Sequence, residues 1–137
     1  MKKLKTKCPA EVTVNIIGGR WKLLILYHLF QGVKRFSELQ RAVSGITQKM
    51  LTQQLREMER DGLVHREIYP QVPPKVEYSL TGLGESLRSV VDAMSRWGKM
   101  FNEGALNPET LSLPMTQIAL KQSESATQQA RSQNAKQ

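Results

Sequence analysis

The sequence predicts a mainly helical chain of the α+β class with one small antiparallel hairpin, and three observations lead there. Residues 8–103 divide into stretches of helical hydrophobic period punctuated by glycines. Two alternating stretches, Val64–Tyr69 and the run through Val76, Tyr78 and Leu80, flank Pro70-Gln71-Val72-Pro73-Pro74. From about Gly104 onward the aromatic residues stop, and Gln, Ser, Ala, Asn and Thr take over.

The elements follow in order. Pro9 suits the first turn of a helix, where its missing N–H costs nothing, and Val12, Ile16 and Ile17 share one side until Gly18-Gly19. A second helix runs from about Trp21 to Phe30 and stops at Gly32. Arg35-Phe36 allows only a stub of strand. Ser37 with Gln40 is a capping-box pattern, so a short third helix starts there and ends near Ser44-Gly45. Thr47 caps a fourth helix, Gln48 to Asp61, closed by Gly62. The proline run must be a loop, because prolines donate no ladder hydrogen bonds. Thr81 then caps one long helix with Leu83, Leu87, Val90, Val91, Met94, Trp97 and Phe101 on its apolar face.

Two helices joined by the tight turn Ser44-Gly45-Ile46, followed at once by a hairpin, describe a winged helix-turn-helix, with the proline-rich loop as its wing. Residues 8–103 form this domain. The 104–137 segment is expected to be a partly disordered polar appendage without chemistry of its own. Within it, Leu111, Leu113, Met115, Ile118 and Leu120 offer material for a short docking element, interrupted by Pro114.

Composition narrows the function. The chain has 137 residues, 39% hydrophobic and 23% charged, which fits one folded domain with one core. Its longest apolar runs, such as Leu23–Tyr27, are far too short to span a membrane. Lys2, Lys3, Lys5 and Lys7 are not followed by the apolar stretch of a secretory signal. The single cysteine, Cys8, excludes an internal disulfide framework and suits a reducing compartment, so a cytoplasmic location is expected. The formal net charge is +8, and residues 1–103 hold 17 of the 20 basic and 10 of the 12 acidic side chains. A domain this basic is attracted to polyanions.

The fourth helix shows where. At about 100° per residue, Leu51, Leu55 and Met58 form an inward stripe, and Lys49, Gln53, Arg56 and Arg60 lie opposite, with Thr52 and Gln48 on the flanks. Arg and Lys pair with guanine, and Gln with adenine, in the major groove. A solvated helix face would read the same in isolation; the turn before it and the hairpin after it favour groove reading. Gln48, Lys49, Thr52 and Gln53 should reach base edges, because recognition helices enter by that end. Arg56 and Arg60 are better placed for phosphates. Lys75, with Arg66 on the adjoining strand, is the candidate wing contact, and Arg66 has Glu77 across the hairpin as an alternative partner. Double-stranded DNA is therefore the expected partner.

An enzyme is disfavoured. His28 and His65 have no catalytic partner at suggestive spacing, and no Gly-rich phosphate loop or metal-ligand cluster appears, so no metal or cofactor is expected. A winged helix used for protein or RNA contacts is the other alternative, and the outward basic stripe argues against it.

The runs Cys8-Pro9, Ile17-Gly18-Gly19-Arg20-Trp21-Lys22, Arg35-Phe36-Ser37-Glu38-Leu39, Leu51 to Val64, Pro73 to Thr81, and Trp97 together resemble the HxlR-type bacterial regulators, relatives of the MarR-like winged helix proteins. The resemblance spans about residues 8–101. It implies a homodimeric transcription factor, repressor or activator, on an inverted-repeat operator, and a repressor is the reading preferred here. It also implies a dimer interface built from the first and last helices. Val12, Ile16, Val90, Val91, Met94, Trp97 and Phe101 exceed what one small core can cover, although part of the set must pack within one subunit.

Several proteins of that family sense oxidants or electrophiles through a cysteine just before this proline, the place of Cys8. A helix N-terminus and the ammonium groups of Lys5 and Lys7 attract negative charge there, and the thiolate is the reactive form. The alternative is a bystander cysteine in a regulator without a redox response.

Overall fold

The computed structural model describes residues 5–135, with the side chains of 110 and 118–122 excepted. It divides into two units, Met1–Ala93 and Met94–Gln137.

In the first unit, α1 (Pro9–Ile17) and α2 (Arg20–Leu29) precede β1 (Lys34–Arg35), α3 (Phe36–Ala42) and α4 (Gln48–Arg60). The hairpin β2 (Val64–Tyr69) and β3 (Lys75–Leu80) follows, then α5 (Gly82–Glu85) and the start of α6 (Arg88–Asn102). One apolar core joins them. Leu26, Leu39, Leu51, Leu55, Met58 and Leu63 are almost wholly buried, each supplied by the inward stripe of its element or by the turn beside it. Full burial of such a side chain contributes roughly 1.5–3 kcal/mol.

Three features of this unit differ from the sequence expectation. The strand stub is Lys34–Arg35, and it pairs antiparallel with β3, giving a three-stranded sheet of order β1-β3-β2 in place of a lone hairpin. The third helix begins at Phe36, and its capping carboxylate is Glu38, which accepts the Arg35 N–H at 2.7 Å; the Ser37/Gln40 pattern is not used. The long helix expected from Thr81 is two helices. Thr81 caps only α5, its hydroxyl accepting the Gly84 N–H at 3.1 Å, and the chain turns at Ser86-Leu87 before α6. Position 84 in α5 requires glycine: a Cβ there would stand 2.1 Å from the Leu63 carbonyl oxygen, so only glycine lets α5 sit on the start of β2.

In the second unit, the remainder of α6 is followed by α7 (Pro108–Leu111) and α8 (Met115–Asn134). The stretch whose composition favours disorder thus holds a 20-residue helix starting just after Pro114. Its Ala, Gln, Lys and Arg have high helix propensity, and the side chains described along it are exposed. The side chains of Ile118 and Leu120, two candidates for a docking element there, lie outside the described ones.

Candidate nucleic-acid interface

The site begins with the turn before α4. Gly45 has φ +83°, a conformation that L side chains rarely adopt, and it brings the chain out of α3 sharply enough for Ile46 to drop into the core. The Thr47 hydroxyl then accepts the Met50 N–H at 3.1 Å and fixes the first turn of α4. With Leu51, Leu55 and Met58 locked inward, the opposite face can only point to solvent.

That face is continuous. Gln48, Lys49, Thr52, Gln53, Arg56 and Arg60 line one shallow, open surface, six of the eight side chains expected at the site. Lys49, Arg56 and Arg60 form no ion pair among the described residues. The acidic residues of the same helix are engaged elsewhere. Glu57 accepts from Lys22 Nζ of α2 at 2.8 Å, and Glu59 pairs with Arg66 of β2 at 3.4 Å. The net effect is a cationic strip whose own carboxylates are neutralised from behind. The Glu57 carboxyl is held below its ordinary range, first by the hydrogen bond from Lys22 and second by that from Gln53, against partial desolvation.

The two wing candidates separate. Arg66 lies directly across from Tyr78, and Glu67 from Glu77, so the period of two puts Arg66 and Glu77 on opposite faces of the sheet. The alternative Arg66–Glu77 pair therefore does not form, and Arg66 instead lines a small recess beside Thr52, Arg56 and Tyr78. Burial pushes the Tyr78 phenol up, so it is a neutral hydroxyl at neutral pH. Lys75 is occupied: its ammonium pairs with Glu77 at 3.1 Å and sits 4.4 Å from the centre of the Tyr69 ring. It lines a separate groove with Arg35, Ser37 and Gln71 at the base of the wing.

The apolar candidates divide too. Val91 is only 4% exposed and belongs to the core of its own subunit, and Ile16 packs against that core. Val12 is half-buried. Val90, Met94, Trp97 and Phe101 are exposed, at the i, i+4, i+7 and i+11 positions of α6. The Trp97 and Phe101 rings stack at 5.4 Å between centres.

Cys8 stands exposed as the N-cap of α1, its N–H donating to the Thr6 hydroxyl at 3.1 Å. The Thr6 hydroxyl in turn donates to the Glu11 carboxylate. Glu11 in the first turn of α1 is a neighbour that attention to the lysines overlooked. Lys2 and Lys3 lie outside the described residues.

The HxlR-like helix-turn-helix family model matches residues 16–105. The chain belongs to that family. The HTH-type transcriptional regulator YdeP of Bacillus subtilis is 56% identical to it over 96 residues, 70% of this chain and 75% of YdeP. The redox regulator HypR in its reduced form superposes with a TM-score of 0.68 at 50% identity, over 75% of this chain and 99% of HypR. The reduced transcriptional regulator YodB of B. subtilis superposes at 0.61 with 38% identity, over 70% of this chain and 96% of YodB. This HxlR-family chain is thus a winged helix-turn-helix transcriptional regulator, and no helix among its described residues is long and apolar enough to cross a membrane.

Sequence reasoning missed the partner of Glu57, Lys22. Lys22 lies 35 positions from Glu57 in the chain, and no local pattern connects them. The i, i+4 spacing of Gln53 and Glu57 was a signal that could have been read.

Proposed function

We propose that the protein is a sequence-specific repressor that binds an inverted-repeat operator in double-stranded DNA as a homodimer, with α4 in the major groove. The observation that carries this reading is the strip Lys49, Gln53, Arg56 and Arg60, whose cations have no ion-pair partner among the described residues. Gln48, Lys49, Thr52 and Gln53 read base edges, and Arg56 and Arg60 grip phosphates. Arg66, beside Arg56, adds a further backbone contact by exchanging Glu59 for a phosphate. Lys75 reaches DNA at the wing by leaving Glu77, an exchange of one anion for another.

Dimerisation through the exposed residues of α6, together with Val12 of α1, would set two recognition helices roughly 34 Å apart, one turn of duplex. Cys8 is proposed as the switch. It is an exposed thiol at a helix N-terminus, and HypR, solved in oxidized and reduced forms, is a redox regulator of the same fold. With one cysteine per chain, oxidation by a peroxide must end in a disulfide to another chain, a mixed disulfide with a small thiol, or a sulfur oxyacid.

Selection of bound duplexes from a random pool, with and without peroxide, tests both parts. A palindromic half-site pair is expected, together with a change in affinity on oxidation that Cys8→Ser abolishes. No enrichment, or equal binding of RNA, ends the operator reading. Unchanged affinity after complete modification of Cys8 ends the switch alone.

A further inference from the structure

We infer that Glu57, anchored by Lys22, is a positioning residue that fixes which end of the Gln53 amide faces DNA and thereby specifies adenine at one operator position. The inference rests on the proposal that α4 reads the major groove, and it names a determinant of that reading.

A glutamine presents a carbonyl oxygen and an amide nitrogen of nearly the same shape, and an unrestrained one turns over freely. Such a side chain accepts from one base and donates to another, so it discriminates poorly. Gln53 is restrained. Its Nε2 donates to Glu57 Oε1 at 3.3 Å, one turn along α4. An ionised carboxylate only accepts, so it can hold the nitrogen end and never the oxygen end. One amide hydrogen is consumed. The other hydrogen and the carbonyl oxygen remain for the groove, and one donor beside one acceptor is the pattern that matches adenine N7 and N6.

Glu57 must itself stay ionised and in place, and Lys22 does both. Its ammonium donates to the second carboxylate oxygen, Oε2, at 2.8 Å. Lys22 reaches this point from α2, with a side chain only 13% exposed, and the Glu57 side chain is 31% exposed. The three residues form a chain that runs from the domain interior to the reading face: ammonium, carboxylate, amide. The two carboxylate oxygens are divided between Lys22 and Gln53, so Glu57 cannot swing away without breaking both contacts.

A purely structural ion pair between α2 and α4 would use the same atoms. The two roles differ in what their loss does to base preference. In selection from a random duplex pool, wild-type protein is expected to enrich adenine at one position of each half-site, and Gln53→Ala to erase that preference. Glu57→Gln should relax the same position about tenfold, because a glutamine at 57 both donates and accepts and lets Gln53 turn over. Lys22→Met should relax that position as well, with all other positions unchanged. In the Gln53→Ala background, Glu57→Gln should add nothing. Glu57→Gln keeps the side-chain size, and it carries the test should Lys22→Met fail to fold.

Retained adenine preference in Glu57→Gln overturns the inference, as does equal relaxation at every position. A wild-type half-site that Gln53→Ala leaves intact overturns it too, while the operator reading survives. Failure of the wild type to enrich any sequence defeats the operator reading itself, and this inference with it.

Discussion

Helix α4 buries one stripe and exposes the opposite one, whereas α6 buries only Val91, and the exposed residues of the two helices are opposite in chemistry. On α4 the outward side chains are Lys49, Gln53, Arg56 and Arg60; on α6 they include Val90, Met94, Trp97 and Phe101. Long cationic and amide side chains lose little by staying hydrated and gain when they displace counterions from a polyanion. Exposed Trp, Phe and Met gain only when another apolar surface covers them. One helix is therefore suited to a wet, charged partner and the other to an apolar one.

Four experiments can break or sharpen that contrast. The largest effect should come from the stripe that α4 keeps inside. Leu55, 1% exposed, changed to Ala should cost roughly 2–5 kcal/mol of stability in chemical denaturation. The salt dependence of duplex binding by the folded fraction should not change. Next comes Trp97→Ala, which should weaken self-association by about 2 kcal/mol in analytical ultracentrifugation and barely move the thermal midpoint of the first unit. A wild type that stays monomeric at high concentration would remove α6 as a dimer face.

Arg56→Ala should cost about 1 kcal/mol in duplex affinity and lower the slope of log affinity against log salt by about one, with stability unaltered. An unchanged slope would mean that the cationic face does not meet phosphates. The smallest effect concerns pH. The folded Glu57 carboxyl titrates below its ordinary value of 4.5, so its contribution is fully present above that value and is lost as pH falls through the folded one. For a surface pair this is under about 1 kcal/mol, and it should show as a shallower acid limb of the stability profile in Glu57→Gln.

Much of this is legible in the amino-acid sequence. The register of α4 followed from Leu51, Leu55 and Met58 alone, and six outward residues followed by subtraction. The Thr47 cap and the proline wing were equally local. The errors lay where a distant residue decides. Lys34 and Arg35 become a strand because Tyr78 and Glu77 present a free sheet edge more than 40 residues later. The long helix is interrupted at Ser86-Leu87, just after Gly84 packs on the distant Leu63 carbonyl, and a periodicity count sees only the apolar residues on either side. Arg66 pairs with Glu59 because strand register turns it away from Glu77, and a count of opposite charges does not contain register.

The sequence by itself determined which side of each helix is oily and where the turns fall, since both depend on residue spacing and on the backbone freedom of individual glycines and prolines. Only the tertiary structure decided which charges are spent. Lys22, Lys75 and Arg66 are bound to carboxylates, and Lys49, Arg56 and Arg60 have no ion-pair partner among the described residues. Ion pairing depends on distances of a few ångströms between elements far apart in the chain, and those distances exist only after the core has closed.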